Sequence, residues 1–301
     1  MVSRLGSDSG LVTRAAFKAV WPQANTCGGR FDSYPLPPPV PAALSSEWRR
    51  VAAKIHPPMK HSRARTTLLR TGAALVGLYA CFAAAVFAVM HQSNTVAGKG
   101  LSLLPGPAFM LLPMESMWCT ARRGKLAVGQ EAPDFDLATR DGAGRVRLSS
   151  LRHTKPVVLV FGSYTCPPFR REMPAVTKLY KEYQDRAAFY FVYIEEAHAH
   201  DVWPLASNAK ASIVYGTAGS ADERTSVANI CAKALKVEFP ILVDDMANDV
   251  ADVYTAWPTR LYVIDTEGTI AYKSRPGPFG FEAAGLAEAL ARIAPPAKTS
   301  T

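Results

Sequence analysis

The hydrophobic positions of the chain follow one pattern before about residue 126 and another after it. Residues 71–90 (TGAALVGLYACFAAAVFAVM) form a run of twenty without a charged side chain. A helix of that length rises about 30 Å, which matches the hydrocarbon core of a bilayer. The run begins seventy residues into the chain, whereas the apolar core of a signal peptide lies near the N-terminus. We therefore predict a transmembrane helix over 71–90.

After residue 125, short apolar runs alternate with segments of helical periodicity. The runs predict strands at 156–161, 187–194, 240–245, 260–264 and 269–273. The periodic segments predict helices at 167–184, 223–235, 248–256 and 281–293. Continuous β-branched runs are typical of strands buried on both faces. The order predicts an α/β domain over 125–295, a central mixed sheet with helices on both faces.

The segments that flank the predicted span lack this regular pattern. Residues 1–48 contain YPLPPPVP and no sustained period, so we expect a disordered, Pro-rich basic tail. Its basic first stretch leaves an organelle transit peptide open as an alternative. Residues 91–124 are apolar but interrupted by three prolines, which favours a juxtamembrane linker at the interface over a second span.

Charge is distributed unevenly along the 301 residues. Residues 1–125 hold 15 basic and 4 acidic side chains (net +11), and residues 126–301 hold 19 and 21 (net −2). The near-neutral domain gives no field that would attract phosphate, so we expect no nucleic-acid partner. The basic residues before the span favour a cytoplasmic N-terminus, but Arg122, Arg123 and Lys125 leave the side of the domain open. We predict a single-pass membrane protein.

Among the five cysteines, Cys166 has the most informative context. They show no CxxC spacing, which argues against a zinc site and against a disulfide scaffold. Cys166 follows a predicted strand and a turn and directly precedes Pro167, a residue suited to the first turn of a helix. At such an N-cap the free backbone N–H groups and the helix dipole favour a thiolate. We predict a nucleophile of lowered pKa, helped by Arg170 or Arg171; a buried structural cysteine is the alternative.

A set of motifs in consistent order resembles known redox proteins. GQEAPDFDL (129–137) is similar to the opening of the redoxin and peroxiredoxin group. FGSYTCPPF, YIEEAHAHDVW, SADER, VDDMAN, RLYVID and RPGPFGF together resemble the iodothyronine deiodinase family. A membrane anchor ahead of the domain also matches that family. The resemblance implies a thioredoxin-like fold and reductive removal of iodine from an iodinated phenol ring, with an external thiol as electron donor and no cofactor.

The resemblance also assigns roles to individual residues. In the family, selenocysteine stands where Cys166 stands, so Cys166 would be the nucleophile that attacks iodine. His198 matches the histidine of the EEAH segment and would move a proton or hydrogen-bond the phenolic group. Pro258 resembles the cis-proline that lies beside the reactive cysteine in thioredoxin-like folds; an ordinary trans-proline is the alternative. Thr165 and Glu196 complete the supporting set.

Other positions either extend this assignment or depart from the family pattern. Arg260 would contact a substrate carboxylate or phenolate; an ion pair on the domain surface is an equal alternative. Three family positions differ here: a cysteine is replaced by Tyr164, a histidine by Ala218 and an acidic residue by Thr259. Cys231 is the best-placed thiol to form a disulfide with an oxidised Cys166 and so resolve it. The alternative is a buried helix residue without such a role.

A metal site and two other functions remain open as alternatives. His198 and His200 alternate on an extended segment, but no obvious third ligand accompanies them, so we expect no metal. The chain is either a deiodinase-like enzyme, a thiol peroxidase, or a membrane-tethered thiol-exchange or redox-sensing module. The expected partners are an iodinated or other soft electrophile and a thiol donor such as thioredoxin, glutaredoxin or glutathione. The resemblance also implies a possible homodimer.

Overall fold

The long apolar run forms one helix, α1 (Arg63–Met90), in the computed structural model. The model describes residues 50, 51, 54 and 63–295, so the predicted tail at 1–48 lies outside the described residues. Most side chains of α1 are exposed, and only Val86 and Met90 are buried. Within the described part of the chain, α1 is the one helix long and apolar enough to cross a membrane. The predicted membrane helix is confirmed by its length and apolar composition.

The predicted strands assemble into one mixed sheet. The strands are β1 (Asp136–Thr139), β2 (Arg145–Arg147), β3 (Val157–Gly162), β4 (Ala188–Tyr193), β5 (Ile241–Val243), β6 (Arg260–Ile264) and β7 (Ile270–Lys273). Their order in the sheet is β2-β1-β5-β4-β3-β6-β7. The strands β3, β4 and β5 run parallel, while β6 pairs antiparallel with β3 and β7 antiparallel with β6. The mixed sheet agrees with the residue pattern, and its parallel pair β3–β4 and antiparallel hairpin β6–β7 agree with the thioredoxin-like fold that the resemblance implies.

Helices cover both faces of the sheet. They are α5 (Pro167–Tyr183), α6 (Ala206–Lys210), α7 (Ala221–Leu235), α8 (Asp249–Val253) and α9 (Ala283–Ile293). Both α7 and α9 pack against α5, whose Phe169 meets Gly162 of β3. On the opposite face Phe161 stacks on Tyr254, which follows α8. Phe161 and Gly162 are consecutive residues of β3, and consecutive positions of a strand face opposite sides of the sheet.

The segment expected to be a linker is folded against the sheet. It forms α2 (Asn94–Ser102), α3 (Gly106–Leu111) and α4 (Met114–Ala121). Its prolines lie at helix starts: Pro105 and Pro113 are N-caps, and Pro107 lies in the first turn of α3. Proline is tolerated there because the N–H that it lacks would have no partner within the helix. Residues 67–295 consequently belong to one unit, with no break at residue 125.

Candidate functional site

Cys166 lies at the point where β3 passes into α5. It is the N-cap of α5, as predicted, and Pro167 and Pro168 form the first turn. Its N–H donates to the carbonyl of Ser163 at 3.2 Å and its own carbonyl accepts from the N–H of Arg170 at 3.1 Å. The sharp turn starts at Gly162, where a Cβ would lie 2.2 Å from the Phe169 ring. Only glycine allows this close approach.

The turn before Cys166 is bonded to the segment that follows β4. The N–H of Ala197 donates to Oγ of Ser163 at 3.0 Å, and the N–H of His198 donates to Oγ1 of Thr165 at 3.0 Å. In return, the N–H of Thr165 donates to a carboxylate oxygen of Glu196 at 2.8 Å. These reciprocal bonds fix His198 relative to Cys166, because both segments leave the ends of neighbouring parallel strands.

A second set of bonds holds the turn from the side of α6. Asn208, which is 3 % exposed, donates from Nδ2 to the carbonyl of Thr165 at 2.7 Å. Arg170 donates to Oδ1 of Asn208 at 2.8 Å and to the carbonyl of Tyr164 at 2.6 Å. Asn208 was not predicted as a site residue. No pattern in its short helix marks it, since its role depends on the packing of α6 beside the turn.

Cys166 and His198 line one apolar cavity of about 460 Å³. Pro258 lines the same cavity, and the Trp257–Pro258 peptide is cis, as the resemblance implies. The helices α2, α3 and α4 supply one wall, formed by Leu101, Phe109, Met114 and Trp118. Among the described residues, no aspartate, glutamate, lysine or arginine lines this space. This wall is not evident from the sequence, because the apolar character of 91–124 gives no sign that its side chains also face Cys166.

Burial raises the pKa of the Cys166 thiol to about 12. The prediction of a lowered pKa is therefore wrong. The bond from the backbone N–H of Phe169 and the charges of Arg170 and Arg171 do lower the pKa, as the N-cap argument requires. Their effect is smaller than the cost of ionising a side chain that is only 1 % exposed. In the free site Cys166 is a neutral thiol at pH 7.

His198 is a neutral imidazole of defined tautomer. Burial lowers its pKa to about 4, and its bond to the backbone of Trp203 opposes this shift only in part. Nδ1 lies 3.2 Å from the Trp203 carbonyl oxygen, which can only accept, so Nδ1 carries the proton. The ring also packs edge-on against the Trp203 indole at 4.7 Å. Nε2 is therefore left with a free lone pair that can accept a proton.

Glu196 lies behind the turn and anchors it. Tyr193 donates its hydroxyl hydrogen to one carboxylate oxygen and the Thr165 N–H donates to the other. Burial raises the pKa of Glu196, and the bonds from Thr165 and Tyr193 partly offset that rise. The structure thus brings together Cys166, His198, Thr165, Glu196 and Pro258.

Two predicted site residues lie away from the cavity. Arg260 is fully buried and donates to the carbonyl oxygens of Arg122 and Arg123 at 2.5 and 3.2 Å, so its guanidinium ties β6 to the end of α4. The geometry gives it this structural role in place of the expected contact with substrate. Cys231 is buried on α7, does not line the cavity and is not disulfide-bonded. A resolving role would require movement of α7 or of the turn.

The paired histidines do not come together on one side of the chain. His198 faces the cavity, whereas His200 and Asp201 line a separate open groove near Val89. Within residues 63–295 no cluster of three or more His, Cys, Asp or Glu side chains is placed to hold a metal ion.

Known proteins are similar to this chain in sequence. Residues 84–294 match the model of the iodothyronine deiodinase family. Type I iodothyronine deiodinase of Xenopus laevis is 34 % identical over 177 residues, which cover 58 % of this chain and 66 % of that protein. Thyroxine 5-deiodinase of Homo sapiens is 33 % identical over 159 residues, covering 52 % and 51 %. The chain thus spans about half to two thirds of the length of these curated relatives.

Solved structures give more distant similarities. A thiol:disulfide interchange protein from Bacteroides sp. aligns with a TM-score of 0.42 and 17 % identity, over 58 % of this chain and 94 % of its own. A secreted disulfide oxidoreductase of Mycobacterium tuberculosis aligns with a TM-score of 0.39 and 16 % identity, over 53 % and 96 %. The family match, in contrast, covers most of the chain and includes every element that builds the cavity. This chain belongs to the iodothyronine deiodinase family.

Proposed function

We propose that the chain is a cysteine-based deiodinase that removes iodine reductively from an iodothyronine or a related iodinated phenol. The observation that carries the proposal is the shared cavity, where the Cys166 thiol and the His198 imidazole face one apolar space. Membership of the deiodinase family supports a reaction of this redox class. Curated relatives named thyroxine 5-deiodinase suggest the type of substrate.

The cavity suits an aromatic ring better than a charged molecule. Its volume of about 460 Å³ lies in the range of small-molecule sites. Phe109, Trp118, Trp203 and Phe279 offer ring surfaces, and the lining formed by the described residues includes no carboxylate, lysine or arginine. An iodinated ring would bury its apolar faces here, and a charged end group would stay outside because an unpaired buried charge is costly.

In the first proposed step, iodine moves from carbon to sulfur. His198 Nε2 accepts the thiol proton of Cys166 as sulfur attacks iodine; the S–I bond forms while the C–I bond breaks. The electron pair of the C–I bond stays on the ring carbon, which takes the proton from the imidazolium. The step converts Cys–SH and Ar–I into Cys–S–I and Ar–H. A base is required because the thiol is un-ionised at pH 7.

In the second proposed step, an external thiol restores the enzyme. One thiol displaces iodide from Cys166 and forms a mixed disulfide, and a second thiol releases Cys166 as a disulfide of the donor. The net reaction consumes Ar–I and two thiols, and it yields Ar–H, one disulfide, iodide and a proton. We propose thioredoxin, glutaredoxin or glutathione as the donor, since Cys231 lies outside the cavity.

The test is iodide release from an iodothyronine by the full chain in lipid vesicles, with dithiothreitol as reductant. We expect release by the wild type and none by Cys166→Ala. Cys231→Ala is the matched control, a buried cysteine outside the cavity, and it should retain activity. Release by Cys166→Ala would refute the proposal. Rapid oxidation of Cys166 by micromolar peroxide without any iodide release would favour a thiol peroxidase.

A further inference from the structure

Exposed apolar side chains are concentrated next to the membrane helix. Residues 100–114 (GLSLLPGPAFMLLPM) contain no charged side chain. Three of its side chains are strongly exposed: Leu103 at 83 %, Met110 at 90 % and Leu111 at 68 %. Beyond residue 114 the exposed large apolar side chains are single and scattered, as is normal for a water-soluble surface. A continuous exposed apolar surface, in contrast, marks an interaction site.

This uncharged segment runs back along α1. Near its start, Gly100 packs so tightly on α1 that a Cβ there would lie 2.5 Å from Cγ1 of Val89. Near its end, the Tyr79 hydroxyl donates to the carbonyl oxygen of Leu111 at 2.8 Å. Val89 and Tyr79 are ten residues apart on α1, which corresponds to about 15 Å along the helix axis. The segment therefore covers about half of the length that crosses a bilayer core.

The hydrogen bond from Tyr79 satisfies a carbonyl group at the end of α3. Leu111 is the last residue of α3, and the final carbonyl groups of a helix have no partner within it. In water such a group is solvated, but within lipid it must find a donor in the protein. Tyr79 belongs to the apolar run that spans the membrane and supplies that donor.

We propose that residues 100–114 form a re-entrant segment that dips into the bilayer beside α1, with Leu103, Met110 and Leu111 in contact with lipid. The occupant of this surface is the hydrocarbon of the leaflet that holds the C-terminal half of α1. Lys99, which directly precedes the segment and is exposed, marks the level at which the chain leaves water. The continuity of the surface with α1 is what identifies lipid as its partner.

The insertion would also place one wall of the cavity at the membrane. Leu101, Phe109 and Met114 line the cavity and belong to the same uncharged segment. An iodinated phenol dissolved in the leaflet would then reach Cys166 past these side chains rather than through water. This consequence rests on the proposed function, whereas the contact with lipid does not.

The test uses fluorescence of an added tryptophan in the full chain reconstituted in phosphatidylcholine vesicles. Met110→Trp is the probe. Ile230→Trp is the matched control, because Ile230 is also an exposed apolar residue on a helix, but on α7. Lipids brominated along the acyl chain quench only a fluorophore that touches them. We expect Met110→Trp to lose about half of its added emission, as a position within the bilayer core requires, and Ile230→Trp to lose none.

Two results would overturn the proposal. Equal and negligible quenching of both variants by brominated lipid, with acrylamide quenching both, would place residue 110 in water. An added tryptophan at 110 shielded from both quenchers would show that a second copy of the chain, not lipid, covers this surface. Neither readout requires turnover, so a failure of the insertion is distinguishable from a failure of the proposed chemistry.

Discussion

Thr165→Val removes the hydroxyl that positions His198. Thr165 is fully buried, and its Oγ1 accepts from the N–H of His198 at 3.0 Å. Valine has nearly the same shape but no acceptor, so a buried N–H would be left without a partner. Such a loss costs about 1–3 kcal/mol. For a unit of this size the melting temperature should fall by about 2–12 °C.

The same change should lower activity as well as stability. The bond to Thr165 sets the position of the His198 backbone beside the turn that ends at Cys166. A displacement of His198 Nε2 by a fraction of an ångström would weaken proton transfer, and we expect kcat to fall about ten- to a hundredfold. The assay pairs thermal unfolding of the full chain in detergent with iodide release under saturating dithiothreitol.

Thr177 provides a matched control on the neighbouring helix α5. Its Oγ1 is buried and has no hydrogen-bond partner in the part of the chain that the structure describes. Thr177→Val therefore removes a hydroxyl that already lacks a partner, and stability should stay within about 0.5 kcal/mol or increase. If Thr165→Val were as stable and active as Thr177→Val, the claim that this hydroxyl holds His198 in place would be refuted.

Three further predictions follow from the burial of site and neighbouring residues. Because the pKa of Cys166 is raised to about 12, its alkylation by iodoacetamide should accelerate about tenfold per pH unit between pH 7 and 10; a plateau near pH 7 would contradict this. His198→Gln should reduce kcat/KM by about 10²- to 10⁴-fold with little change in melting temperature, and a wild-type rate would remove His198 from the mechanism. Arg260→Met should lower the free energy of unfolding by about 2 kcal/mol or more and leave KM unchanged; a raised KM with normal stability would restore the contact with substrate.

Local sequence patterns were sufficient to predict much of the fold. The β-branched run before Gly162 and the Pro167–Pro168 pair predict a strand, a turn and a helix start, and the structure has all three. The apolar run at 71–90 lies within α1. These predictions succeed because strand burial, helix capping and membrane length each depend on neighbours within a few residues.

The errors concern properties that depend on distant parts of the chain. The N-cap position of Cys166 predicts a lowered pKa, but Phe109, Met114 and Trp118 lie far away in sequence and help to enclose the site that it faces. Their effect on solvation cannot be inferred from the motif around the cysteine. The prolines of 91–124 favour a linker over a second span, and the structure adds that proline at a helix start is compatible with α3 and α4.

The role of Arg260 also depends on a distant part of the chain. A charged residue in a distinctive motif suggests a contact with substrate, and the sequence does not show that α4 ends directly above β6. The two carbonyl groups at that helix end accept from Nη1 and Nη2 of the guanidinium, while its buried Nε has no hydrogen-bond partner among the described residues. Side chains that bind backbone in this way leave no periodic signature.

The most direct test of the central claim is a single-turnover reaction of the full chain with an iodothyronine in the absence of any thiol. We expect one equivalent of deiodinated product per chain, with Cys166 becoming resistant to alkylation in step with product, and repeated turnover only after dithiothreitol is added. Product formed while Cys166 stays fully alkylatable, or formed by Cys166→Ala, would contradict the assignment of Cys166 as the group that takes up iodine.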